Sequence, residues 1–188
     1  SSVHRTRDWS NHTARLWDVR TKRCLQIFVG HQGIVWSVGI HVNQDILASC
    51  SEDRTVRLWN AKTGNLIYSL PGPKREVNDI SFSTTGKLLA CGDDDALIYI
   101  WDIYTRSLLQ VLHGHRGKVR TVAFRPTTSP TTNSIASAGN DCEIRLWDAY
   151  TGRVLKILRG HAAPVFSINF HPGGYLLVSS SLDETIKL

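Results

Sequence analysis

The chain contains no methionine. It does not open on an initiator residue, so a mature product, a fragment, or a set of ordered segments from something longer is expected. No run of about 18 apolar residues occurs, and a conventional membrane-spanning helix is not expected. No basic start followed by an apolar centre marks a secretory leader. Cysteine is sparse. Cys24, Cys50, Cys91 and Cys142 lack CxxC spacing and fall inside or beside apolar segments. That pattern favours four buried or half-buried thiols over disulfides or a zinc site, and from it an intracellular location is expected, in cytoplasm or nucleus. No GxxxxGK[ST] phosphate loop is present, and no pair of histidines has tight metal-ligand spacing. Neither a cofactor nor a metal is expected.

Charge is not scarce, but it is dispersed. Lys and Arg number 22 against 16 Asp and Glu, a net of +6, and the basic residues run through the whole chain instead of forming one block. Such a balance could favour acidic partners without fixing a site for them.

What the chain has in quantity is repetition. Trp17, Trp59, Trp101 and Trp147 stand 42, 42 and 46 residues apart, in Arg15-Leu16-Trp17-Asp18, Arg57-Leu58-Trp59-Asn60, Tyr99-Ile100-Trp101-Asp102 and Arg145-Leu146-Trp147-Asp148. Gly30-His31 returns in the same register as Gly114-His115 and Gly160-His161. A period of this size means stacked units, none of which can bury its own apolar faces alone. Within one unit, 35–40, 46–50, 55–59 and 66–70 read as short strands separated by turns, with no helical periodicity. The same order recurs at 77–83, 88–92, 97–101 and 107–112, and at 119–124, 134–138, 143–147 and 153–158. A last set covers 165–170, 175–179 and 184–188. Strands 13–17 and 24–28 match the third and fourth of a unit. Four short antiparallel strands per unit describe a propeller blade.

The expected organisation is an atypical stretch 1–12, a partial blade 13–30, and repeats 31–72, 73–114 and 115–159, followed by a truncated repeat 160–188. The repeat 73–114 is degenerate. The Pro/Thr-rich insertion 126–133 lengthens the third repeat and reads as a mobile surface loop. Roughly four to four and a half blades leave open ends, so part of a parent ring of about seven or eight blades is expected. Closure of a four-blade ring by strand 24–28 and self-association of two incomplete rings are the alternatives.

These motifs are similar to those of the WD40 repeat family, from about Asn11 to Leu188, and the fold class that the resemblance implies is an all-β WD40 β-propeller of four-stranded antiparallel blades. It also implies a hydrogen-bonded network of His, Ser, Asp and Trp inside each blade. The first set is His31, Ser49, Asp53 and Trp59, and the second is His115, Ser137, Asp141 and Trp147. His161, Ser179 and Asp183 form a set without a tryptophan. Asp95 and Trp101 keep half of theirs, because Cys91 and Pro73 stand in for serine and histidine. Trp17 remains of the first, where Asn11 holds the aspartate position. A His-Ser-Asp cluster suggests a nucleophilic triad, yet an enzyme has no use for the same triad in successive blades, and a structural cross-link is expected. The blade spanning 77–112, which lacks the network, is expected to be the least protected against local opening.

On the same resemblance, Trp36, Asn78, Arg120 and Phe166 face the upper opening of the central channel, and Arg54, Arg75, Lys118 and Glu184 could ring them. The function implied is a noncatalytic protein-interaction scaffold that assembles a multiprotein complex, with protein or peptide partners, acidic or phosphorylated ones among them. A nucleic-acid-associated or phosphopeptide-reading subunit is the alternative. The nucleic-acid reading requires Arg15, Arg57, Arg75, Arg106, Lys118, Arg120 or Arg145 to converge on one surface. A propeller enzyme is the remotest reading.

Overall fold

The computed structural model of the protein describes residues 12–43, 45–127 and 133–188. The atypical stretch therefore lies outside the described residues except for His12, as does the centre of the 126–133 loop.

Seventeen strands and no helix make up the described chain. The first sheet holds β1 (Ala14–Asp18) and β2 (Arg23–Phe28). The second holds β3 (Val35–Ile40), β4 (Ile46–Ser51), β5 (Val56–Asn60) and β6 (Leu66–Leu70). The third comprises β7 (Val77–Phe82), β8 (Leu88–Asp93), β9 (Ile98–Asp102) and β10 (Ser107–Leu112). The fourth comprises β11 (Val119–Phe124), β12 (Ser134–Gly139), β13 (Ile144–Asp148) and β14 (Val154–Leu158). The last has β15 (Val165–Phe170), β16 (Leu177–Ser181) and β17 (Ile186–Lys187). Every sheet is an antiparallel meander in chain order. Two rims follow from that order. Turns between second and third strands, together with the links between sheets, form the upper rim. Turns between first and second and between third and fourth strands form the lower rim.

The alternation of side chains across each strand gives every sheet two faces. One packs on the sheet before it and the other on the sheet after. Ala48, Cys50, Val56 and Leu58 meet Val77, Ile80, Leu89, Cys91 and Trp101 at one joint. Leu88, Ala90, Ile98 and Ile100 meet Val119, Val122, Ile135 and Trp147 at the next. Trp59, Trp101 and Trp147 are all fully buried. A core built from joints rather than from single sheets is the physical reason why one repeat cannot stand alone.

The joint between the third and fourth sheets carries polar links as well. Asn78 Nδ2 donates to Val119 O at 2.9 Å, the Val122 amide donates to Asp79 Oδ2 at 3.0 Å, and the Phe124 amide donates to Ser81 Oγ at 3.1 Å. Burial pushes the Asp79 carboxyl up despite the Val122 bond. Gly92 lets β11 come this close, since a Cβ there would lie 2.4 Å from Val119 Cγ1.

The cysteines depart from expectation at one position. Cys50 and Cys91 are buried and Cys142 is half-buried, but Cys24 is exposed, and all four are free. Cys24 sits on β2, an outer strand whose residues are mostly exposed, so apolar neighbours in sequence did not imply burial.

Candidate functional site

Two constellations could carry function: the repeating polar network inside the blades and the residues of the upper rim. The network resembles a catalytic triad in composition.

In the second sheet, Trp59 Nε1 donates to Ser49 Oγ at 2.8 Å, Ser49 Oγ lies 2.6 Å from His31 Nε2, and His31 Nδ1 lies 2.8 Å from Asp53 Oδ2. The indole can only donate and an ionised carboxylate can only accept, so the valences fix a direction. The serine hydroxyl donates to Nε2, and Nδ1–H donates to Asp53. The serine proton is thus engaged with the imidazole, and a buried indole occupies the space around the oxygen. The fourth sheet repeats the arrangement with Trp147, Ser137, His115 and Asp141, at 2.8, 2.7 and 2.8 Å.

In the last sheet, His161 lies 2.9 Å from Ser179 and 2.8 Å from Asp183. A cavity of about 240 Å³ lined by Leu177, Ser179, Lys187 and Leu188 lies beside that set.

The network is larger than the four residue types implied. Asp53 also accepts from the Gln32 amide at 2.9 Å and from Thr55 Oγ1 at 2.6 Å, and Arg57 lies over the Trp59 ring at 5.9 Å. In the fourth sheet Arg145 pairs with Glu143 at 2.6 Å, and Arg159 pairs with the same carboxylate at 2.8 Å. The recurrence of Arg57 and Arg145 two residues before a tryptophan was the available signal.

Burial pushes the Asp53 carboxyl up, but hydrogen bonds from His31, Thr55 and the Gln32 amide outweigh it and hold the group well below the usual carboxylate range. Asp141 is lowered in the same way by His115 and the Arg116 and Glu143 amides. Acid should therefore unfold the protein through these groups. Their stabilisation is present above the unfolded carboxyl pKa of about 3.9 and is lost as pH falls below it. Asp79 and Asp93, raised by burial, have the opposite sign and favour the fold as they protonate. The expected melting profile in a pH series stays level or rises slightly on moderate acidification, then drops below about pH 4.

The third sheet builds something else. Trp101 Nε1 donates to Pro71 O at 3.0 Å, and Tyr99 stacks on Trp101 with ring centroids 5.9 Å apart. Asp95 does not join Trp101. It pairs with Arg75 at 3.2 Å near the surface. Asp93 lies fully buried, with Oδ1 accepting the Asp95 and Leu97 amides, and burial together with the Asp93 charge pushes the Tyr99 hydroxyl up to about 12. Trp17 is half-buried on β1.

On the upper rim, Trp36, Asn78, Arg120 and Phe166 share one backbone feature. Each is the residue skipped where the pairing of a first with a second strand shifts register, between Val35 and Ser37, Val77 and Asp79, Val119 and Thr121, and Val165 and Ser167. A bulge of this kind leaves one residue out of the ladder and re-aims its side chain. Their environments then diverge. Trp36 is half-buried against the joint between the second and third sheets. Asn78 is committed to Val119 O and to Asp94 Oδ1, each at 2.9 Å. Phe166 is 49% exposed, and the Arg120 guanidinium lies 5.6 Å from the centre of its ring, with Arg120 Nε donating to Asn140 Oδ1 at 2.9 Å.

Arg54, Arg75, Glu76, Asp94 and Asp95 line a cleft of about 280 Å³ on this rim. Arg75 is paired with Asp95 and Lys118 with Asp94, whereas Arg54 and Glu184 are exposed. Of the basic residues named for nucleic acid, Arg75, Lys118 and Arg120 lie on the upper rim. Arg145 is buried, Arg75 and Lys118 are neutralised on the upper rim, and Arg106 belongs to a lower turn. Among the described residues no group of three or more His, Cys, Asp or Glu could hold a metal ion.

Comparison with known families gives one result. The family described as WD domain, G-beta repeat matches residues 22–60, 64–102, 106–148 and 152–188. No curated protein matches the chain.

Proposed function

The chain belongs to the WD40 repeat family, and from that premise we propose that it is a noncatalytic scaffold that assembles a protein complex through its upper rim. The family is in general noncatalytic and binds other proteins or peptides. The observation that carries the reading is the pair Arg120 and Phe166. An exposed ring with a guanidinium over it offers both an apolar anchor and a charged donor, and anchors of these types dominate interface energetics. Asn140 holds Nε, so the terminal nitrogens of Arg120 are left to meet a carboxylate or phosphate. The expected partner is an acidic or phosphorylated peptide segment, with Arg54 as a further cation and Glu184 as a determinant of register.

A panel of acidic, phosphorylated and neutral peptides tests this by fluorescence polarisation. The acidic or phosphorylated members should bind, and Arg120→Ala should weaken them by about tenfold or more in a protein that still unfolds cooperatively. Binding indifferent to both Arg120→Ala and Phe166→Ala, or a preference for neutral peptides, would count against the proposal.

A further inference from the structure

The lower rim differs electrostatically from the upper one. On the upper rim acidic side chains stand among the cations, and Asp94 and Asp95 neutralise Lys118 and Arg75. On the lower rim the carboxylates other than Asp45 are used by the backbone. Asp18 Oδ1 accepts the Arg20 and Thr21 amides at 2.8 and 3.1 Å. Asp102 Oδ1 accepts those of Tyr104 and Thr105 at 2.9 and 3.0 Å, and Asp148 Oδ1 those of Tyr150 and Thr151 at 3.0 and 2.8 Å. In the second sheet the neutral Asn60 does the same for Lys62 and Thr63, at 2.9 Å each. These turns close on their own acids and point their cations outward.

Arg20, Lys22 and Arg23 on the first sheet, Arg106 on the third and Arg153 on the fourth are exposed and make no ion pair among the described residues. Lys62 and Lys87 are exposed too. The first is offset by the exposed Asp45 at 2.8 Å, the second by Asp102 at 3.8 Å. The band is continuous in space. Gln26 Nε2 reaches Thr63 O at 3.4 Å, the Arg106 guanidinium lies 5.4 Å from the Tyr68 ring centre, and Gln110 Nε2 reaches Tyr150 O at 2.7 Å. Exposed aromatic rings lie on the same rim. Tyr104, 64% exposed, stands edge-on to His41, and Tyr175 in the last sheet is 86% exposed.

We infer that the lower rim is a contact surface for single-stranded nucleic acid. A cationic band that follows one edge supplies sequence-independent attraction to phosphates, and exposed rings along it supply faces for unpaired bases. Single-stranded nucleic acid is the partner that uses both features in every unit along the strand, a phosphate for each cation and an unpaired base for each ring; an acidic protein segment and an anionic membrane surface are the competing occupants in the test. The site is separate from the Arg120 surface, so the two readings stand or fall independently.

The test is titration of the 188-residue chain into a labelled oligouridylate across a salt series. Binding should weaken steeply with salt. The triple variant Arg20→Glu, Lys22→Glu, Arg23→Glu should lose about tenfold or more, and Tyr104→Ala several-fold, both at unchanged melting temperature because these side chains are exposed. Arg54→Glu on the upper rim should leave the affinity unchanged. No binding at moderate salt, binding unaffected by the triple variant, or stronger binding to phosphatidylserine vesicles or polyglutamate than to the oligonucleotide would each overturn the inference.

Discussion

Replacing Asp141 with alanine is expected to lower the unfolding free energy by about 2–4 kcal/mol. The carboxylate accepts from His115 Nδ1 and from the amides of Arg116 and Glu143. Alanine removes the acceptor from all three donors, and the fully buried His115 Nδ1–H has no water to replace it. Loss extends down the relay, since the imidazole is oriented by Asp141 and in turn orients the Ser137 hydroxyl beneath the Trp147 indole. The comparison that isolates the effect is Asp95→Ala. Asp95 occupies the same place in its repeat, yet it is half-exposed and pairs only with Arg75 and its own turn. An exposed pair of that kind contributes about 0–1 kcal/mol. Urea midpoints for the two variants should differ accordingly. Equal shifts would mean that position in the repeat, and not the network, sets the cost.

Gly92→Val should be about as damaging, on the order of 3 kcal/mol. The new Cβ meets Val119 Cγ1 at 2.4 Å and Val119 Cβ at 2.8 Å, and a β-branched side chain on a packed strand has no rotamer in which to retreat. The sheets must separate, which stretches the bonds from Val122 N to Asp79 and from Phe124 N to Ser81. Amide exchange at Val122 and Phe124 should accelerate more than at Ala48 and Leu58 in the second sheet, on the far side of the preceding joint. If exchange rises evenly over the molecule, the close approach is not what Gly92 secures.

Strand positions were readable because burial on both faces and short turns leave a strong local pattern. The expected 35–40, 66–70, 107–112 and 165–170 coincide with the observed strands, while 175–179 and 184–188 are displaced to Leu177–Ser181 and Ile186–Lys187. Contacts between distant residues were not readable. Nothing in the order of residues announces that Asp95 would turn to Arg75, or that Asp79 would bind an amide 43 positions away. The bulges at Trp36, Asn78, Arg120 and Phe166 were hidden for a related reason. A strand's alternation does not reveal which residue its partner will skip.

The matched segments and the sheets are out of step. Residues 64–102 begin with β6, the outer strand of one sheet, and end with β9, the third strand of the next; 106–148 and 152–188 begin likewise with β10 and β14. Each matched segment is therefore shared between two units of architecture, with one strand in the first and three in the next. Duplicating or exchanging one such segment would hand an edge strand to one blade and three strands to its neighbour. A graft would then be judged by whether Leu70, Leu112 or Leu158 still suits the sheet it closes, more than by anything inside the grafted repeat.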